Sequence, residues 1–165
     1  MPTDRLRKAI EAVPAGAWPR ARRVAGATLA FDERWRRRVR LACDDGAAFL
    51  LDLAAARVLR DGDGLVLEDG GVIEVRAADE EVCDVAAEKP AALARLAWHL
   101  GNRHLAVEIR AEALRIRDDH VIVAMLEGLG ARVTRLRAPF TPEAGAYAEA
   151  SAREEHAHDH GHEHA

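Results

Sequence analysis

Clusters of aspartate and glycine cut the chain between residues 44 and 71 into pieces too short for a helix. They are Asp44-Asp45-Gly46, Asp61-Gly62-Asp63-Gly64 and Asp69-Gly70-Gly71. Tight turns demand left-handed backbone, which glycine adopts without steric cost, so such clusters join extended segments. The segments on either side read as strands over 35–42 and 47–53, then over 64–68 and 72–77. Residues 1–77 are therefore expected to form an all-β domain, as a small barrel or two packed sheets.

From Asp79 the pattern changes. A strand over 81–87 precedes Pro90, which suits the first turn of a helix. Leu93, Leu96, Ala97 and Leu100 then give the i, i+3, i+4, i+7 stripe of a core-facing helix. Gly101-Asn102 supplies residues that tolerate left-handed geometry, so the helix is expected to end there. Strands follow over 105–109 and 113–116. Asp118 is the expected N-cap of a second helix reaching Leu129, with Val121, Ile122, Met125, Leu126 and Leu129 as its apolar arc. A last strand over 132–138 stops at Pro139. The order β-α-β-β-α-β predicts a ferredoxin-like domain over 78–147, and the fold class is α+β.

The segment 148–165 is of a third kind. His156, His158, His160, His162 and His164 alternate with Ala157, Asp159, Gly161 and Glu163. With nothing apolar to bury, it is expected to be a disordered, flexible tail. Imidazoles mixed with carboxylates suit Ni²⁺, Cu²⁺ or Zn²⁺, so the tail points to metal handling. Expression tags are usually unbroken histidine runs, and this one is not.

Composition narrows the function further. The net charge of −4 resides in the tail, where Glu149, Glu154, Glu155, Asp159 and Glu163 face only Arg153. Bases gather instead at Arg20, Arg22 and Arg23 and at Arg34, Arg36, Arg37, Arg38 and Arg40. Nucleic acid is a poor partner for that cluster, because Trp35 is its one interleaved aromatic. A protein-docking surface or a solvated face suits it better. No apolar run reaches the ~20 residues needed to cross a bilayer, and MPTDRLRKAI leads into no secretory signal. Cys43 and Cys83 form no CxxC pair and fit reduced packing residues of a cytoplasmic protein. There is no HExxH, P-loop, nucleophile elbow or Gly-rich dinucleotide loop, so enzymatic chemistry has no carrier.

His99, His104 and His120 are the histidines outside the tail. His120 falls opposite the centre of the second helix's apolar arc and beside Asp119, an exposed N/O pair. His99 and His104 bracket the end of the first helix. One exposed histidine cannot hold a metal tightly, but a two-fold axis beside it would double it. Trp98, off the apolar stripe, fits burial in such a dimer.

Three blocks carry a resemblance: HLGNRH at 99–104, DDHVIVAMLEGLGARV at 118–133 and APFTPEAGAY at 138–147, ahead of the histidine-rich end. Together they resemble the urease accessory protein UreE family of nickel metallochaperones, most specifically over residues 79–147. The resemblance implies an N-terminal domain that binds protein partners and a ferredoxin-like metal-binding domain. It implies a homodimer joined through the second domains, with His104 of each protomer sharing one Ni²⁺ on the axis. It also implies that the tail histidines add ligands or hold further ions, with Zn²⁺ or Cu²⁺ as substitutes. His120 matches a peripheral-site position, but Asp118 stands where some members have a second histidine. The implied partners are the accessory GTPase UreG and, through it, the urease apoprotein complex. Delivery of Ni²⁺ to the urease active site is the expected function, and nickel or zinc storage or detoxification is the alternative.

Overall fold

The computed structural model describes residues 6–144 as two sheets, one after the other along the chain. The five tail histidines lie outside the described residues. The N-terminal sheet contains β1 (Arg7–Val13), β2 (Arg23–Leu29), β3 (Trp35–Ala42), β4 (Ala48–Val58), β5 (Gly64–Leu67) and β6 (Val72–Ala77). Its order is β2-β6-β5-β1-β4-β3. β3–β4 and β5–β6 are the hairpins expected at Asp44-Asp45-Gly46 and Asp69-Gly70-Gly71, where Gly46 and Gly70 adopt φ of 87° and 86°.

This sheet departs from the expected barrel or pair of sheets: it is a single curled sheet of mixed direction. β1 runs parallel to β4 and β2 parallel to β6. The curl wraps a core that includes Phe49, Leu51, Leu59, Leu65, Ile73 and Val75. Its two ends approach where the Asp44 N–H donates to the Gly26 carbonyl at 2.8 Å and Asp44 Oδ1 accepts from the Thr28 N–H. A Cβ at Gly26 would sit 2.8 Å from Asp44 Oδ2, so a larger residue there would have to displace that carboxylate.

The second sheet is fully antiparallel, with β7 (Asp79–Ala86), β8 (Glu108–Ile109), β9 (Leu114–Arg117) and β10 (Arg132–Pro139) in the order β10-β7-β9-β8. Helix α1 (Pro90–Asn102) joins β7 to β8, and α2 (His120–Gly128) joins β9 to β10. Both helices are amphipathic by sequence, and Leu96 and Leu100 of α1 meet Val123 and Leu126 of α2 over Cys83, Val85, Leu114 and Ile116. The expected arc of α2 is partly corrected. Val121 and Leu129 are exposed, and Val123 is buried in their place.

The two sheets interlock through the 3-10 turn Phe31–Glu33 and Arg34. The Phe31 ring meets Phe140 edge-on at 5.4 Å, and its N–H donates to Glu80 Oε2 at 2.9 Å. Arg117 donates to both oxygens of Asp32 and lies over the Phe31 ring, 5.3 Å from its centroid. Arg34 is fully buried. Its Nη2 donates to the Phe140 carbonyl, and its Nη1 donates to the Leu59 carbonyl and Thr141 Oγ1. Burial pulls the Arg34 guanidinium below the ordinary arginine range, against the carboxylates of Glu80, Asp61 and Glu108. None of the described helices is long and apolar enough to cross a membrane.

Candidate metal centre

Helix α1 ends at Gly101-Asn102 as expected, with Asn102 its last residue. Arg103 is the C-cap, and His104 takes the left-handed conformation at φ 56°. The His104 N–H donates to Gly101 O at 3.0 Å and the Leu105 N–H to Leu100 O at 3.3 Å. That pair of bonds defines a Schellman motif, which satisfies carbonyls otherwise left open at the helix end. Leu105 and Leu100 pack in the same core, the apolar contact that accompanies the motif.

Helix α2 closes in the same way. Gly130, φ 87°, donates to Glu127 O, and Ala131 donates to Leu126 O, both at 3.0 Å. Glycine is the usual residue for this position, and among the described residues His104 is the only non-glycine with positive φ. A left-handed residue without glycine's freedom costs about 1 kcal/mol. Strain of this kind clusters at functional sites, because the surrounding structure must hold it for a purpose. His104 is exposed, so its imidazole is held by a fixed backbone and open to solvent.

The other body histidines have different settings. His99 lies in the last turn of α1, half-buried, with the Trp98 ring edge-on at 5.1 Å and 81°. His120 is the first residue of α2 and exposed, as its place opposite the apolar arc predicts. The expected cap is corrected from Asp118 to Asp119, whose Oδ1 accepts from the N–H groups of Val121 and Ile122 at 2.9 and 3.1 Å. That capping oxygen is taken by the helix, so the Asp119–His120 pair offers fewer free ligand atoms than the sequence suggests. Asp118 instead pairs with Arg135 and accepts from Cys83 Sγ at 3.4 Å. Burial, then the Asp118 carboxylate, pushes the Cys83 thiol up to about 11, far from the thiolate a metal would need. Among the described residues, no three His, Cys, Asp or Glu side chains gather as a metal-binding group.

The chain leading to the histidine-rich segment is fixed next to this turn. Thr141 N–H donates to Glu108 Oε2, and Glu143 N–H donates to the Val107 carbonyl at 2.8 Å, three residues after His104. No local sequence preference marks the left-handed His104 or this tether. The His104 turn is closed by its local Schellman bonds, whereas the tether depends on contacts between distant parts of the chain.

Comparison with known proteins decides the family. Residues 6–78 match the model of the UreE urease accessory protein N-terminal domain, and residues 80–165 match that of its C-terminal domain. This chain belongs to the UreE urease accessory protein family. Urease accessory protein UreE of Bradyrhizobium sp. strain BTAi1 is 58% identical over 128 residues, covering 78% of this chain and 62% of that protein. Its counterpart in Bradyrhizobium sp. strain ORS 278 is 59% identical over 130 residues, 79% of this chain and 60% of the relative. The chain thus spans about three-fifths of those UreE proteins. The UreE of Chelativorans sp. strain BNC1 is 52% identical, with 83% of this chain and 84% of the relative aligned.

Proposed function

We infer that this chain is a nickel carrier for urease maturation, binding Ni²⁺ and delivering it for assembly of the urease active site. The observation that carries this reading is His104, an exposed imidazole at a helix-end position that Gly130 fills in the neighbouring helix. Family membership supplies the urease context.

A carrier must bind its ion without trapping it. Two His104 side chains across a dimer axis would hold Ni²⁺ through nitrogen and leave octahedral or tetragonal positions open. His156, His158, His160, His162 and His164 then fill or exchange those positions. Eleven residues lie between Ala144 and His156, a reach of up to ~40 Å when extended. From a root beside Val107, that reach covers His104. His99 lies one turn behind the site, and His120 is a peripheral ligand at most. Zn²⁺ and Cu²⁺ compete for the same nitrogens. Nickel takes neutral imidazole, so protons compete with loading.

The organisation that fits is an N-terminal β domain over 1–77 for protein contacts, a metal-binding domain over 78–147 and the tail over 148–165. The strand order β10-β7-β9-β8 with both helices in one core supports a ferredoxin-like second domain. Trp98, 64% exposed, together with exposed Val121 and Ile109, supports a homodimer made by that domain. UreG and the urease apoprotein complex are the recipients, in the cytoplasm, and the chain itself performs no catalysis.

Transfer in the presence of a chelator tests delivery. Nickel-loaded chain mixed with the urease apoprotein complex and UreG should activate urease even when a chelator captures all free Ni²⁺. Activation abolished by the chelator would favour the storage reading, in which ions are held and passed to nothing.

A further inference from the structure

Arg36, Arg37, Arg38 and Arg40 lie on β3, the terminal strand of the N-terminal sheet. Val39 and Leu41 pack on the core, and Arg38 and Arg40 are exposed. Arg38 approaches Asp52 at 3.8 Å, but Asp52 is already held by Lys8 at 2.9 Å. Among the described residues, Arg36, Arg37 and Arg40 form no ion pair. Arg36 donates to its neighbour's carbonyl at Trp35, and Arg37 to the Leu53 carbonyl. The sheet therefore ends in a row of guanidinium groups with one shared carboxylate.

The acidic part of the chain starts from the same neighbourhood. Arg34, immediately before β3, grips the Phe140 carbonyl and Thr141, so the descending chain passes the beginning of this strand. Residues 145–165 follow, carrying Glu149, Glu154, Glu155, Asp159 and Glu163 against Arg153. Those 21 residues reach at most ~70 Å, and the eight residues of β3 span about 27 Å. Reach is ample, and a short tether gives a high effective concentration.

We propose that the acidic segment 149–163 docks in cis along the arginine edge of β3. The charges are complementary and both belong to this chain, so no outside partner is needed to neutralise the strand. Exposed ion pairs are individually weak and screened by salt, so the contact is a reversible one, held by several charges and the tether. Its consequence is competition: a protein that docks on β3 must displace the segment that carries the histidines. The docking holds whether or not the histidines bind metal.

Amide and indole chemical shifts of the metal-free full chain, compared with a chain truncated after Tyr147, test it. At low salt the resonances of Trp35 through Ala42 should differ between the two. The difference should collapse in about 0.5 M NaCl, where the Debye length is ~4 Å. A full chain carrying Glu149→Gln, Glu154→Gln and Glu155→Gln keeps every histidine and should resemble the truncated one. Identical β3 shifts in the full and truncated chains would overturn the proposal. So would differences confined to other strands, differences that survive in the glutamine variant, or differences that grow with protein concentration, which would place the segment on a second copy.

Discussion

His104 and Gly130 occupy the same backbone position at the ends of α1 and α2, the left-handed residue of a Schellman motif, at φ 56° and 87°. One helix uses the residue the geometry favours and the other uses a histidine, the nickel ligand proposed above. His104→Gly should therefore stabilise the fold by up to about 1 kcal/mol while removing nickel binding. Gly130→Ala should destabilise it by about 1 kcal/mol, although a Cβ there meets nothing within 4 Å, because the backbone alone is strained. Urea unfolding of both variants checks the pair. Equal midpoints for His104→Gly and the unaltered chain would mean that His104 carries no strain.

The helix end shows what the sequence could and could not reveal. Gly101-Asn102 closes α1 as expected, but neither residue is the left-handed one: Leu105 must return to the core beside Leu100, and that places the left-handed turn at His104. Tertiary burial outweighed local preference. In the N-terminal sheet the hairpins were legible from their Asp-Gly turns, whereas β1 and β2 were not. β1 buries Ala9 and β2 buries Gly26, Ala27 and Leu29, so neither strand shows a bulky alternating pattern. Gly26 lies close to Asp44, whose carboxylate a larger residue would have to displace. His99, His104 and His120 were legible as residues, but their backbone settings were not. The tail histidines were legible by composition alone and lie outside the described residues.

Arg34 ties the sheets together with a guanidinium that has no access to solvent. Arg34→Met would leave the Phe140 and Leu59 carbonyls without their donor and should cost about 2–3 kcal/mol. Because its loss loosens the contact between sheets, unfolding followed by Trp18 and by Trp98 separately should split into two transitions. A single shared transition at an unchanged midpoint would contradict this role.

Cys83 predicts an alkaline limit. Its folded value of about 11 lies above the ordinary value near 9, so the folded state holds the proton more tightly than the unfolded one. The stabilisation is complete below pH ~9 and is lost as pH rises from ~9 through ~11, worth about 2–3 kcal/mol in all. Cys83→Ser keeps a donor for Asp118 and removes the titration. Its urea midpoint should fall less than that of the unaltered chain between those pH values, and parallel declines would refute the assignment.

Asp119 separates structure from metal binding in α2. Asp119→Ala removes the cap and should destabilise the protein by about 1 kcal/mol, with tight nickel binding unchanged. His120→Ala should likewise leave the tight ion in place. Loss of that ion in either variant, with the fold intact, would move the principal site to the start of α2.

Calorimetric Ni²⁺ titration of the chain truncated after Tyr147, with dimer mass checked in parallel, tests the central claim most directly. The account predicts about one tight ion per dimer, lost in His104→Gly, whose fold is at least as stable. Absence of tight binding in the truncated chain, or tight binding that survives His104→Gly, would contradict it and place the metal elsewhere.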